Sequence, residues 1–272
     1  MRPNGRDSIF SDAISKLYER HLAPLIFEPY AAPVARRLVS TDLSRVLEIA
    51  AGTGVVTRAL ASHLPPSVAI TATDLNQTML DQAAAVGTSR PVQWRAADAL
   101  CLPFDDGAFD AVVCQFGAMF FPDKARAYAE ARRVLRRGGV FVLSVWDRIE
   151  ENEFADVVTS ALETVFPQSP PRFLSRTPHG YFDVPTIERD LAGGGFTSAA
   201  RVATVAERSR ADSPMVPAVA YCQGTPLRSE IEARAPGGLD HATNVAAEAI
   251  RRRFGDGAVD GKIQAHVITI SS

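Results

Sequence analysis

Between Arg45 and Trp146, short apolar runs alternate with stretches whose apolar residues return at helical spacing. Val46-Leu47-Glu48-Ile49, Ala111-Val112-Val113 and Val140-Phe141-Val142-Leu143 have strand length and are rich in β-branched residues. The pattern predicts strands at 45–50, 68–73, 92–96, 109–115 and 139–146, with helices at 54–63, 76–86 and 122–137 between them. Such alternation, with strands apolar on both faces, implies an α/β fold whose parallel sheet is covered on each side. Gly138-Gly139 reads as the stop of the third of these helices, directly before the fifth strand.

The flanking regions follow a different rhythm. Asp12 to Leu22 carries Ile14, Leu17 and Tyr18 on one helical face, and Pro24 is expected to interrupt before a second segment to Leu38. Beyond Trp146, Glu150 to Phe166 reads as an amphipathic helix and Pro167 to Pro185 as a Pro-rich stretch. A helix at 185–192 ends at Gly193-Gly194-Gly195, and a strand covers roughly 198–206. Helical residues punctuated by Pro214, Pro217, Pro226 and Pro236 come next, and Gln264 to Ile270 closes as an alternating strand. The division expected is a helical cover at 1–40, a core at 41–149 and an insert or lid at 150–185. The core resumes at 186–212, a helical insert fills 213–258, and 259–272 supplies the last core strand.

At the end of the first predicted strand the chain enters Glu48-Ile49-Ala50-Ala51-Gly52-Thr53-Gly54, a small-residue turn that opens a helix. Gly52 and Gly54 lack a Cβ, so the backbone there can turn sharply and approach a ligand. Twenty residues past Gly54 the second strand ends on Asp74, where a carboxylate can accept from both hydroxyls of a ribose. Together these are the parts with which a βαβ unit holds an adenosine-type cofactor. The turn lacks the third glycine that serves a pyrophosphate. It also carries Glu48, which opposes a pyrophosphate and tolerates a sulfonium or ammonium group. Asp74 and Asp98 have a second reading as caps, and Leu75 and Met79 as core residues. Asp74 is expected near solvent, adding little to the stability of the core.

Taken in order, these segments resemble class I S-adenosylmethionine (SAM) methyltransferases, especially the small-molecule and ubiquinone/menaquinone-biosynthesis-like branch. Glu48 to Gly54 resembles the first motif, with Ala50 where glycine is most common. Asp74-Leu75-Asn76 with Met79 resembles the second, Asp98-Ala99 the third, and Gln115-Phe116-Gly117 the segment after strand four. Arg133 to Gly139 resembles the turn into strand five, and the two late strands resemble the family's terminal antiparallel pair. The resemblance implies a Rossmann-like seven-stranded sheet with an antiparallel last strand. It also implies SAM as cofactor and S-adenosylhomocysteine (SAH) as product. Glu48, Ala50, Gly52, Gly54, Asp74, Leu75, Met79, Asp98, Ala99, Gln115 and Phe116 would bind the cofactor, with Tyr18 and Phe27 closing over it. Asp74 would hold the ribose, Asp98 and the Ala99 N–H the adenine edge, and Leu75 and Met79 its faces.

The segment after strand four mostly excludes acceptors. Gln115-Phe116-Gly117-Ala118 lacks the Asn/Asp-Pro-Pro-aromatic turn of amino-directed DNA and protein-glutamine methyltransferases. Val113 stands where a cytosine-C5 enzyme would carry the proline of its Pro-Cys nucleophile, so Cys114 reads as a buried strand residue. The acceptor expected is a small or medium apolar molecule, methylated on O, C or N mainly by alignment and desolvation. His21, His179, Tyr181 and His241 are candidate bases in the cover segments, and no motif fixes the role of any of them. His179 and Tyr181 lead, because they lie in the Pro-rich stretch expected over the pocket. Two alternatives use the same turn: an NAD(P)-dependent oxidoreductase, and a SAM-binding regulatory protein without catalysis.

Composition narrows the picture further. The 272 residues are 46% hydrophobic, enough for a sizeable core, and no run approaches the roughly 18 apolar residues of a membrane span. A net charge of −2 argues against a nucleic-acid surface, and the arginine pairs at 132–133 and 136–137 read as solvated helix ends. Met1 to Asp7 has no apolar stretch behind it and does not read as a signal peptide. Three widely spaced cysteines suggest neither a disulfide framework nor a metal site, which fits a reducing cytoplasm.

Overall fold

The computed structural model describes residues 12–38 and 43–272. Among them are seven strands: β1 Arg45–Ile49, β2 Ala69–Asp74, β3 Gln93–Ala96, β4 Phe109–Gln115, β5 Leu135–Trp146, β6 Arg201–Ala211 and β7 Val259–Ser271. They form one sheet in the order β3-β2-β1-β4-β5-β7-β6. Strands β1 to β5 pair in parallel, and β7 runs antiparallel to both β5 and β6. This is the Rossmann-like seven-stranded arrangement with an antiparallel last strand. Alternate strand residues feed opposite faces. Val46, Ala111, Val113 and Val142 pack with Val34, Val56 and Leu60 on one side, whereas Leu47, Val112, Phe141 and Leu143 pack with Tyr128 and Ala131 on the other. The helices that cover the sheet include α3 Val55–His63, α4 Gln77–Val86, α5 Lys124–Val134 and α8 Val184–Gly193.

Three elements depart from the sequence reading. Helix α5 stops at Val134 and β5 begins at Leu135, so Gly138-Gly139 lies inside a strand and does not end a helix. The reason is a bulge: Leu135 pairs with Phe109 and Val140 with Ala111, leaving 136–139 to loop out. Gly138 takes φ +72° there, and Arg136 Nε donates to Asp110 Oδ1 at 2.5 Å. Strands β6 and β7 are also longer than expected, paired from Arg201↔Thr269 to Ala211↔Val259. Edge strand β6 carries Glu207, Arg208 and Arg210, so apolar patterning understated its length.

The third departure is at Pro24. It does not break the N-terminal helix: α1 Asp12–Leu17 passes into a π-helical segment, Tyr18–Phe27, and then into α2 Glu28–Arg36. In an α-helix the proline ring would meet the carbonyl of the residue four positions earlier; the wider π turn relieves that clash. Glu28 N–H accordingly reaches back five residues, to the carbonyl of Ala23. Arg58 of α3 binds Glu19 at 2.7 Å, and the Tyr30 hydroxyl donates to the Val205 carbonyl of β6 at 3.1 Å, so this segment is tied to α3 and to the sheet. The remaining cover comes from α6 Glu153–Val165, α7 Phe173–Arg176, α9 Met215–Gln223, α10 Leu227–Arg234 and α11 Leu239–Phe254. Helix α9 packs on the π segment, and α11 packs on α6 and α9.

Where β1 and β4 leave the sheet, Ala50 and Phe116 both adopt left-handed φ values, +55° and +54°. Non-glycine residues there carry a conformational cost, and such outliers cluster at functional sites. Gly117 makes the arrangement fit, because a Cβ on it would lie 2.4 Å from the Ala50 methyl and 3.0 Å from Cys114 Sγ. Gly117→Ala should therefore destabilise the fold by about 3 kcal/mol in urea denaturation. Adding Ala50→Gly should restore at least about 1 kcal/mol of that loss through removal of the opposing methyl. Strictly additive effects would mean that the two residues do not press on one another.

Candidate active site

A cavity of about 320 Å³ opens at the ends of β1, β2 and β4. Its lining comes from the glycine turn, the ends of β2 and β4, the loop after β3, the π segment and residues of both later inserts. Twelve of the residues expected to bind or close over the cofactor line it: Tyr18, Phe27, Glu48, Ala50, Gly52, Asp74, Leu75, Met79, Asp98, Ala99, Gln115 and Phe116. Gly54 stands just behind, at φ +83°, capping the start of α3 with no side chain over the helix N–H groups.

The glycine turn is held by Asp74. Its Oδ2 accepts from Gly52 N–H and its Oδ1 from Asn76 N–H, each at 2.8 Å. Burial pushes its carboxyl upward despite these bonds. Asp74 is half-buried and braces the turn, which gives it a structural role that the sequence reading did not expect. A carboxylate offers about four lone-pair sites, so the two that remain can accept ribose hydroxyls. Asp98 is exposed at the rim and its Oδ1 accepts from Leu100 N–H at 2.9 Å, so it caps its own turn while bordering the cavity. Leu75 is 64% exposed beside the cavity, whereas Met79 is buried beneath the turn. Both positions can cover an adenine ring.

At the other side of the turn Glu48 is buried and accepts from the Thr57 hydroxyl at 2.6 Å. Burial raises its pKa to about 8. Two residues of the lining carry orphaned polar atoms: Gln115 at Oε1, whose amide nitrogen donates to the Phe27 carbonyl at 3.1 Å, and Thr53 at its hydroxyl. A buried acceptor and a buried donor without partners are costly unless a ligand satisfies them. An α-amino acid end supplies both counterparts, an ammonium for Gln115 and Glu48 and a carboxylate for Thr53. The residues present thus fit SAM from adenine to methionine. Thr53 had no role in the sequence reading, since a hydroxyl inside a glycine turn gives no signal of its own.

Beyond Gln115 the cavity becomes aromatic. Phe116 and Trp146 stack at 3.7 Å with planes 1° apart; Tyr30 meets both edge-on, and Phe27 leans on both. Phe120, Phe121, Phe173, Leu174, Pro178, His179, Tyr221 and Thr225 complete this end. Trp146, Tyr221 and Thr225 carried no motif and were not anticipated. Three of the four candidate bases are not brought here. Tyr181 is outside the lining because its hydroxyl donates to Asp190 Oδ2 at 2.7 Å and accepts from Tyr128 at 3.3 Å, between α5 and α8. His21 is half-buried on the π segment and faces away, and His241 is exposed on α11. Phe182, under Arg148, is also outside. Cys114 is buried with its thiol pushed up to about 12 by burial, so it is no nucleophile. Among the described residues no cluster of metal-ligating side chains occurs.

Comparison with known proteins places this architecture. A methyltransferase-domain family model matches residues 47–143. A malonyl-[acyl-carrier protein] O-methyltransferase of Geobacter sulfurreducens is 33% identical over 189 residues, 65% of this chain and 68% of that protein. An uncharacterized protein of Mycobacterium tuberculosis is 39% identical over 130 residues; that match spans 44% of this chain and 45% of the relative, less than half of either. Among solved structures, phosphoethanolamine N-methyltransferase 2 of Haemonchus contortus, in complex with SAH, superposes with a TM-score of 0.59 at 16% identity. That match covers 96% of this chain and 57% of the worm enzyme's chain. The chain belongs to the SAM-dependent methyltransferases, which sets aside the NAD(P)-dependent oxidoreductase alternative.

Glu48 generates a measurable expectation. Its folded-state pKa of about 8 lies above the ordinary 4.5, so between these values the folded chain keeps a proton that the unfolded chain has released. Its contribution to stability accordingly falls as pH rises through that window. A cation seated beside it favours the ionised form, so SAM binding near neutral pH should release up to about one proton. Calorimetry in buffers of different ionisation enthalpy reads this directly, and Glu48→Gln should abolish the difference between buffers. Asp74→Asn should weaken SAH binding by about 2 kcal/mol through loss of charge-assisted bonds, in a chain that remains folded by circular dichroism.

Proposed function

We propose that this chain transfers the methyl group of SAM to a neutral, apolar acceptor. The observation that carries the reading is the division of one cavity into a polar end, fitted to the cofactor, and an aromatic end with no charged side chain. Every carboxylate in the described lining, Glu48, Asp74 and Asp98, belongs to the cofactor end, and that lining holds no Lys or Arg. A cationic amine or a carboxylate acceptor would have no counter-charge at the aromatic end, and burying it unpaired would be costly. This separates the chain from its Geobacter relative, whose name specifies a malonyl-carrying acceptor.

SAM supplies an activated methyl group on a cationic sulfur. The chain's residues supply position and dryness. The turn braced by Asp74 fixes the ribose end, Gln115 and Thr53 fix the methionine end, and the stacked Phe116–Trp146 pair forms a flat wall for the acceptor. Holding two reactants in contact geometry and excluding water account for much of the acceleration that such transfers require. The π segment, the α7 stretch with Pro178 and His179, and the α9–α10 corner form the cover at this end. A non-catalytic SAM-binding role would show tight cofactor binding without turnover on any apolar acceptor.

Radiolabel transfer from SAM to a panel of neutral apolar acceptors tests the activity; transfer only to cationic or anionic acceptors would contradict it. Separately, SAH should slow hydrogen exchange in at least one of 18–27, 173–179 and 217–226, because a cover that closes on ligand is least protected without it. Equal protection with and without SAH would remove the closing role.

A further inference from the structure

His179 is the one histidine of the described lining, and it stands at the aromatic end. Its setting fixes its chemistry. Nδ1 lies 2.9 Å from the backbone carbonyl of Asp147, and a carbonyl only accepts, so Nδ1 carries the hydrogen. The carbonyl is itself held in place: Asn152 Nδ2 donates to it at 3.3 Å, and the Asp147 carboxylate receives Gln264 Nε2 at 2.6 Å and Arg148 N–H at 2.7 Å. Nε2, across the ring, has no hydrogen-bond partner among the described residues, and the ring borders the cavity. The Trp146 ring, 6.1 Å away between centroids, holds the imidazole against the flat wall.

We propose that His179 Nε2 takes the proton of a hydroxyl on a ring-bearing apolar acceptor as that oxygen is methylated. This rests on the methyl-transfer reading above and adds the acceptor group and its base. The acceptor oxygen forms its bond to the methyl carbon while the donor's carbon–sulfur bond breaks, and sulfur keeps the electron pair. The O–H proton moves to Nε2, so one positive charge passes from sulfur to imidazolium and none is created.

Burial holds the ring's pKa at about 4, against the smaller opposing influence of the Asp147 carbonyl, Glu150 and the Asp147 carboxylate. The ring is therefore neutral, with an open lone pair, before transfer begins. A hydroxyl becomes far more acidic as its oxygen gains a second carbon, so even a weakly basic imidazole receives the proton at that stage. The sequence offered His179 as a candidate base without fixing its role, because the tautomer is set by a backbone carbonyl 32 positions away.

The test uses the full chain, SAM, and two probes of one shape, 2-naphthol and naphthalene-2-thiol, at about pH 7.5. The thiol reacts as its thiolate and needs no base, whereas the naphthol is protonated there. His179→Gln should lower methylation of 2-naphthol by on the order of 100-fold or more, and of the thiol by less than about fivefold, with SAM affinity unchanged. A readout without turnover accompanies it: with SAH bound, the wild type should bind 2-naphthol about tenfold more tightly than naphthalene, and His179→Phe should erase that preference. Equal losses on both probes, full naphthol activity in the variant, or a wild type that binds SAM yet methylates neither probe or the thiol alone would each overturn the proposal. A chain that binds no SAM would fail the donor reading, and the proposal with it.

Discussion

The cavity exists because β1 and β4, neighbours in the sheet, send their chains away in opposite directions. From β1 the chain passes through α3 to β2; from β4 it passes through α5 to β5. Open α/β sheets bind ligands at such a switch point, outside the carboxyl ends of the strands. Here the parting is forced through two left-handed residues, Ala50 and Phe116, with Gly117 clearing the space between them. Asp74 then ties the β1 turn to the end of β2 through Gly52 N–H. That geometry leaves bare helix N–H groups at one side of the cavity and starts an aromatic wall, at Phe116, on the other.

The polar and aromatic ends do different physical work. Around Glu48, Gln115 and Thr53 the fold carries groups that are poorly satisfied on their own and would be satisfied by a cationic, zwitterionic ligand. Such groups cost stability without ligand and return it on binding, which couples ligand affinity to pH. The aromatic end is already well packed, with Tyr30, Phe27, Phe116 and Trp146 in mutual contact. Its rings give that end a flat, apolar wall, and His179 is the one histidine of the described lining placed within it.

Much of the core was legible because strand ends and turns impose residue types. Gly52, Gly54 and Asp74 occupy positions where backbone conformation or ligand chemistry leaves few choices, and the βαβ alternation announces the parallel sheet. The misreadings have physical reasons. Gly138-Gly139 signals a chain reversal, and a helix stop and a strand bulge use glycine alike. Pro24 breaks an α-helix but fits a π turn, and nothing local distinguishes the two. Tyr181 and His179 stand two residues apart in one loop; tertiary packing alone sends the first to Asp190 and the second to the cavity. The aromatic end was least legible, since it is assembled from Leu22, Trp146, Phe173 and Tyr221, far apart in sequence and each an ordinary core residue in isolation.

The central claim is the division of one cavity into a cofactor end and an acceptor end, and a crystal structure of the chain with SAH tests it most directly. The account predicts the ribose on Asp74, adenine between Leu75 and the Asp98–Ala99 turn, and the amino acid end against Thr53 and Gln115. The sulfur should then face the space bounded by Phe116, Trp146 and His179. Adenine seated on Trp146, with the amino acid end at Asp98, would contradict the account.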